Sequence, residues 1–308
     1  MSTKPVSSEH DLTSLSALDQ RLGAIVRDPR FAVYGAVVLA AALGWTYLAL
    51  MVLGTNEGPG AAAFGPGMQI FQSFGDLELS PLLAAICQPI GLSGTLSFTL
   101  SGFALTFTMW AMMVLAMMLP TAAPMLSTYA TLADTARKKD EHAVSAWVLA
   151  AGYLVVWLSF SVAAALAQIA MSQAGSLTAT GTPATLAIAA TVLFVAAAYQ
   201  FTPAKHACLT KCQNPFMYFF GNWTDRTTGI FKIGLIQGLF CLGCCWALMA
   251  VMFAVGVMNL VWVAFLCALM VIEKTLINPW MSRAIGLFLF VLACALIAPL
   301  VMQGFIKI

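Results

Sequence analysis

The chain has 308 residues, of which 61% are hydrophobic and only 8% carry a charged side chain, against about 25% charged residues in a typical soluble domain. The formal net charge of +2 is small and is spread over several connections, which argues against a nucleic-acid-binding protein. No phosphate-binding loop ending in Gly-Lys-Ser/Thr occurs, which argues against an ATP-driven pump within this chain. The composition predicts a polytopic membrane protein whose partner is the lipid bilayer.

Seven apolar runs are predicted to cross the membrane, because about 20 helical residues span about 30 Å of hydrocarbon. They cover residues 31–53, 98–119, 143–170, 183–199, 233–257, 260–277 and 284–305. We therefore predict an all-α transmembrane bundle over residues 31–308, behind a cytoplasmic tail formed by residues 1–30. No connection between the runs is long enough to fold as a separate soluble domain.

The basic residues predict the orientation of this bundle. Thirteen of the 14 Lys and Arg residues lie before the first span, or in or next to every second connection, and therefore all on the same side of the membrane. Cytoplasmic connections carry an excess of these residues. The N-terminus is thus predicted inside and the C-terminus outside, with Lys307 as the one exterior exception. The longest exterior connection, residues 54–97, holds Cys87, which is predicted to be a packed thiol.

The connection after the fourth span combines thiol and imidazole side chains. Pro203 is predicted to end the span, and His206, Cys208 and Cys212 follow it. Cys208 and Cys212 are four residues apart, a spacing that places both on one face of a helix. We predict that these three residues bind a metal ion as a set at the cytoplasmic surface. A basic loop with incidental thiols is the alternative, since a structural zinc site uses four ligands.

The fifth span is predicted to have one helical face lined by sulfur. At 100° per residue this face holds Cys241, Cys245, Met249 and Met252, with Cys244 at its flank. The opposite face carries small residues, which let transmembrane helices approach closely; they are Gly243, Ala247, Ala250 and Ala254. Thiolate and thioether sulfur are ligands that select Cu(I) among metal ions.

Methionines in the second span repeat the offsets of the fifth-span sulfurs, and they are Met109, Met112, Met113 and Met117. We predict that the two spans face each other across a sulfur-lined seam that holds Cu(I). The alternative is that these methionines only fill space in an apolar helix. Cys267 and Cys294 stand alone and are predicted to pack in the core.

Glu273 is predicted to lie in the inner third of the bilayer, where an ionisable residue is expensive and usually functional. It is a candidate metal ligand. The alternative is that Glu273 pairs with Lys274 or Arg283 and extends to the inner surface.

Five motifs in order resemble those of a known family: WAMMVLAMMLP at 110–120, YQFTPAK at 199–205, CLGCCWALM at 241–249, GVMNL at 256–260, and the pair Glu273-Lys274. The family is the bacterial domain-of-unknown-function family 2182, described as predicted metal-binding integral membrane proteins, and the resemblance covers about residues 98–277. It implies metal binding and a bacterial inner membrane, and it leaves the metal and any reaction open.

Three hypotheses about function are open. The first is a protein that binds and transfers Cu(I), with a metallochaperone or metalloenzyme as partner. The second is an enzyme, either a thiol-redox protein or a metalloenzyme that uses Glu273. The third is a scaffold with structural zinc or packed cysteines. A disulfide-forming enzyme would need paired cysteines near the outer surface, and these lie elsewhere, which argues against the second hypothesis.

The charge asymmetry generates a prediction about topology. Reporter fusions should show residues 1–30 and the connection that contains Lys205 and Lys232 in the cytoplasm, and the C-terminus outside. A reporter that places Lys307 inside and Arg137 outside would contradict the orientation.

Overall fold

The computed structural model describes residues 29–53, 61–70 and 98–306, and the regular elements in these residues are helices. The predicted tail up to residue 28, the exterior connection around Cys87, and Lys307 lie outside the described residues. The helices are α1 Pro29–Leu53, a 3-10 helix Ala61–Phe64, α2 Leu100–Met113, a π-helical segment Val114–Met118, α3 Leu119–Arg137, α4 Ala146–Gln173, α5 Leu186–Gln200, α6 Pro203–Gln213, α7 Pro215–Gly221, α8 Thr227–Ala250, α9 Met252–Val255, α10 Leu260–Thr275 and α11 Pro279–Ile306.

Five helical stretches in the described residues are long and apolar enough to cross a membrane, and a sixth results if α5 and α6 form one bent span. The all-helical membrane architecture agrees with the sequence prediction, whereas the predicted number of seven spans exceeds these five or six. The difference arises at short helices. α5 has 15 residues and α10 has 16, fewer than the roughly 20 that a full crossing needs.

The second predicted span continues well beyond its predicted end at residue 119. α2, the π-helical segment and α3 form one stretch of 38 residues, Leu100–Arg137, about 57 Å at 1.5 Å per residue. Pro120 lies just after the π-helical segment, and its ring would crowd the carbonyl of Ala116 in a regular helix. The local widening to π geometry accommodates that ring without ending the helix.

The centre of the bundle is the packing of α8 against α4, while α8 also packs against α6, α5 against α11, and α1 against α3. The backbones of α4 and α8 approach most closely at Gly152 and Gly234. A Cβ atom built on Gly152 would lie 2.9 Å from the Leu235 backbone nitrogen and 3.0 Å from the Gly234 Cα. Only glycine fits this crossing, because the neighbouring atoms are backbone and have little freedom to move.

This crossing predicts a stability effect that is opposite in sign to helix propensity. Gly152→Ala should destabilise the protein by about 1–3 kcal/mol, the usual cost of overpacking, although alanine favours helices. Gly35→Ala on α1 is the matched control, since no atom lies within 4 Å of the added Cβ. It should be neutral or stabilising by up to about 1 kcal/mol. Thermal unfolding of the two variants in one detergent makes the comparison, and equal melting temperatures would contradict this crossing.

Candidate metal centre

The candidate site exists because α6 folds back onto α8 instead of continuing α5. α5 and α6 differ in direction by 65°, and Pro203 occupies the start of α6, where its missing N–H costs nothing. The Thr202 hydroxyl caps this start by accepting a hydrogen bond of 3.3 Å from the Lys205 backbone N–H. At the contact with α8, a Cβ atom on Gly243 would lie 2.6 Å from Cys208 Sγ, so the small residue allows α6 to pack closely.

Four thiols from these two helices meet and form what we call the thiol cluster: Cys212, Cys241, Cys244 and Cys245. Cys244 Sγ is 3.9 Å from Cys212 Sγ and 3.3 Å from Cys245 Sγ, and it donates to the carbonyl oxygen of Cys241, one helical turn earlier, at 3.1 Å. The three α8 cysteines are at most 3% exposed, whereas Cys212 is half-buried. The two predicted cysteine groups are therefore largely one group in space.

Two polar side chains from other helices contact the thiol cluster at Cys241. The Lys274 ammonium on α10 donates to Cys241 Sγ at 2.9 Å and to the Thr121 hydroxyl at 2.7 Å. The Tyr153 hydroxyl on α4 lies 3.0 Å from Cys241 Sγ and 3.2 Å from the carbonyl oxygen of Met118, which it can reach as a donor. Cys241 therefore has a cation and a hydroxyl beside it.

Sequence reasoning did not assign Lys274 or Tyr153 to the site. Lys274 entered only as a basic residue of the topology, as a possible partner of Glu273 and as part of the Glu273-Lys274 motif. Tyr153 is one of several polar residues, with Ser159, Ser161 and Gln168, in a mostly apolar span. The available signal was the rarity of ionisable groups inside predicted spans, which applies to Lys274 as much as to Glu273. For Tyr153 the deciding contacts are tertiary.

The sulfur atoms are close enough to share a metal ion, but they do not yet surround one. Two thiolates each bound at about 2.3 Å lie at most about 4.6 Å apart, and both measured sulfur–sulfur distances in the cluster are shorter, at 3.3 and 3.9 Å. In the described residues no three His, Cys, Asp or Glu side chains are arranged around a common centre. Binding would therefore require the thiols to rotate until they point at a common centre, and Cys241 to turn away from Lys274.

His206 does not lie on the same side of α6 as Cys208 and Cys212 in this structure. α6 is helical over Pro203–Gln213, so His206 is about 200° around the helix from Cys208, while Cys212 faces Cys244. The helix therefore separates the predicted set of three ligands. Metal binding by His206 stays a prediction.

Glu273 has a different partner from the two that the sequence suggested. Its Oε1 atom is 2.7 Å from Lys205 Nζ and accepts a hydrogen bond of 2.6 Å from the Ser282 hydroxyl. The partner is Lys205 rather than Lys274 or Arg283, because the fold of α6 brings Lys205 into the interior. This pairing occupies the Oε1 atom of the carboxylate. Metal binding by Glu273 stays a prediction.

The methionines of the predicted seam are mostly buried in the bundle. Five of them have no exposed surface, namely Met109, Met113, Met117, Met249 and Met252, and Met112 is half-buried. α2 and α8 both pack on α4, so the two helices that carry these methionines share α4 as a neighbour. The role of these methionines as ligands stays a prediction. Cys267 is half-buried, and Cys294 is exposed on α11, so the prediction of a core position is wrong for Cys294.

The fold and the site together define a helical membrane-type protein with a buried thiol cluster. The family model described as PpoB2, copper chaperone, matches residues 107–296, and the chain belongs to this family. That stretch contains the four thiols, Lys274 and Tyr153. No curated protein and no solved structure matches the chain.

The contact between the cysteines of α6 and α8 predicts a specific cross-link, from Cys212 to Cys244. A variant that keeps only Cys212 and Cys244, with the other cysteines changed to serine, should form an intrachain disulfide under mild oxidation, since a small rotation brings the sulfurs to bonding geometry. A variant that keeps only Cys212 and Cys294 is the control. Peptide mass spectrometry after proteolysis detects the bond. Equal yields in the two variants would contradict the docking of α6 on α8.

Proposed function

We propose that this protein is a membrane-embedded copper chaperone that carries Cu(I) at the thiol cluster of Cys212, Cys241, Cys244 and Cys245. The observation that carries the proposal is that Cys244 Sγ lies 3.3 Å from Cys245 Sγ on α8 and 3.9 Å from Cys212 Sγ on α6, with Cys241 one helical turn before Cys244 and Cys245. Membership of a copper chaperone family supports copper as the cargo.

The surroundings of the cluster favour a soft monovalent ion. Sulfur ligands prefer Cu(I), and hard cations need oxygen ligands, of which the apolar helices around α8 offer few. A thiolate buried alone in an apolar medium is costly, and a bound cation offsets that cost, so metal loading and thiol deprotonation are coupled. The Lys274 ammonium, 2.9 Å from Cys241 Sγ, would offset part of the negative charge of a copper–thiolate complex.

We propose the bacterial inner membrane as the location, with α6 on the cytoplasmic side. The charge asymmetry of the connections and the resemblance of the motifs support this placement. Cys208 lies one turn before Cys212 and is half-buried, which suits a thiol that first receives copper from a cytoplasmic metallochaperone. Met249 near the end of α8 and Met252 at the start of α9 follow the cluster in the chain, and they are candidate steps towards an exterior acceptor such as a metalloenzyme.

A structural zinc site is the second candidate, because four thiols are also the number that such a site uses. The two functions differ in the fate of the bound ion. A zinc scaffold would retain its ion, whereas a copper chaperone must pass copper to an acceptor, and the half-buried Cys208 and Cys212 give an acceptor a thiol to attack.

The proposal predicts both the metal and its ligands. X-ray absorption of the Cu(I)-loaded protein should show a first shell dominated by sulfur. Cys244→Ser and Cys245→Ser should each weaken Cu(I) affinity by at least about tenfold, since loss of even an outer-shell partner commonly costs 10–100-fold. Cys294→Ser is the control, because that thiol is exposed on α11, and it should bind copper as the unchanged protein does.

Two outcomes would overturn this function. A first shell of nitrogen and oxygen only, or affinities indifferent to both Cys244→Ser and Cys245→Ser, would remove copper from the thiol cluster. Purified protein that holds one equivalent of zinc, and does not exchange it for Cu(I), would identify the cluster as a structural zinc site.

A further inference from the structure

A buried ion pair joins α6 to α10 close to the thiol cluster. Lys205 and Glu273 are 0% and 1% exposed, and their charged atoms are 2.7 Å apart. The Lys205 ammonium also donates to the side-chain oxygen of Gln200, and the Ser282 hydroxyl donates to the same Glu273 oxygen that Lys205 binds. Groups from α5, α6, α10 and α11 therefore meet at one charge pair.

Stability alone does not account for this pair. Within the described part of the chain, Glu273 Oε2 and Gln200 Nε2 are buried without hydrogen-bond partners, and each such group carries a desolvation cost. Buried ion pairs are often no more stabilising than well-packed apolar residues of similar size. Unlike apolar contacts, however, an ion pair has a preferred geometry, so it can fix one helix relative to another.

The ion pair lies where fixing α6 relative to α10 also fixes the position of a thiol of the cluster. Lys205 precedes Cys212 by seven residues on α6, two helical turns that return to nearly the same face. At the other end of α6, the Gln213 amide donates to the carbonyl oxygens of Glu273 and Leu276 at 2.9 and 3.1 Å. α6 is therefore attached to the end of α10 on both sides of Cys212.

The same end of α10 also contacts the α8 thiols. Lys274 is the neighbour of Glu273 in the chain, and its ammonium donates to Cys241 Sγ at 2.9 Å. Two adjacent residues of α10 thus hold two different partners: Glu273 holds the helix that carries Cys212, and Lys274 contacts Cys241 in α8. α10 connects the two sources of thiols.

We infer that Lys205 and Glu273 are positioning residues that hold α6 in the one register in which Cys212 joins the three cysteines of α8. Among the described residues, the side-chain partners of the two are each other, Gln200 and Ser282, and no thiol of the cluster is among them. For copper this inference rests on the proposed function: with the pair intact Cu(I) can use a ligand from each helix, and without it only the α8 thiols remain. The placement of Cys212 beside Cys244 does not depend on copper.

The test measures this placement through the rate of the Cys212–Cys244 cross-link, in full-length protein that keeps only these two cysteines. Lys205→Met combined with Glu273→Leu replaces the ion pair by apolar residues, which buried sites commonly tolerate. Oxidation should slow by at least about tenfold, because a displacement of about 1 Å between reacting groups can cost about a hundredfold in rate.

The exchange of the two charges provides the rescue. Lys205→Glu combined with Glu273→Lys restores an ion pair, and Ser282 and Gln200 can each donate or accept a hydrogen bond. This variant should cross-link at close to the original rate. Asp134→Asn combined with Lys138→Gln, which removes the exposed ion pair of α3, is the matched control and should also keep that rate.

An apolar double variant that cross-links at the original rate overturns the inference, as does a folded charge-exchange variant that cross-links as slowly as the apolar one. If the apolar variant does not fold, the charge-exchange variant decides alone. In otherwise unchanged protein loaded with Cu(I), the apolar variant should lose about one sulfur ligand in X-ray absorption, as Cys212→Ser does. Failure of the unchanged protein to bind Cu(I) would refute the proposed function and leave the cross-linking result valid.

Discussion

The docking of α6 on α8 is the interaction on which the candidate site depends. It requires the 65° bend after α5 and the absence of a side chain at Gly243, where any Cβ atom would collide with Cys208 Sγ. With this docking, thiols that are about 30 residues apart in the chain lie within 4 Å of each other. If α6 continued the direction of α5, Cys212 would lie apart from α8, and the thiol cluster would consist only of the three cysteines of α8.

Three charged side chains inside the bundle, Lys205, Glu273 and Lys274, each have a polar or charged partner, as burial among apolar residues requires. Lys205 and Glu273 form a neutral pair, which leaves Lys274 as the further cation at the end of α10, and Lys274 donates to Cys241 and Thr121. Ionisable groups at this depth usually face the protein interior and have partners. The ammonium therefore provides positive charge beside Cys241, where it would offset one negative charge of a complex in which thiolates outnumber the charge of a bound monovalent cation.

Much of the fold follows from the sequence, because membrane helices obey local rules. Apolar runs predicted the helices, Pro203 predicted the end of α5, and the 100° rotation per residue predicted that Cys241 and Cys245 share a face. The errors concern tertiary contacts, the length of two helices, and local helix geometry. The partner of Glu273 is Lys205, which is 68 residues away along the chain, and nothing local distinguishes it from Lys274. Likewise, the chain continues as a helix through Pro120 because the π-helical segment absorbs the ring, an adjustment that no propensity scale contains.

The thiols of the cluster differ in how firmly they are held, and this difference suits transfer better than storage. Cys241, Cys244 and Cys245 lie on α8, whose backbone packs closely against that of α4 at Gly152. Cys212 lies on a helix of 11 residues that is held at its ends by an ion pair and an amide. An ion that is bound only by ligands on one rigid helix is released slowly, because these ligands cannot move apart and every metal–ligand bond must break while they stay in position. A ligand on a separately attached helix can withdraw alone, which leaves the ion with fewer ligands. A thiol of an acceptor can then bind the ion in this state.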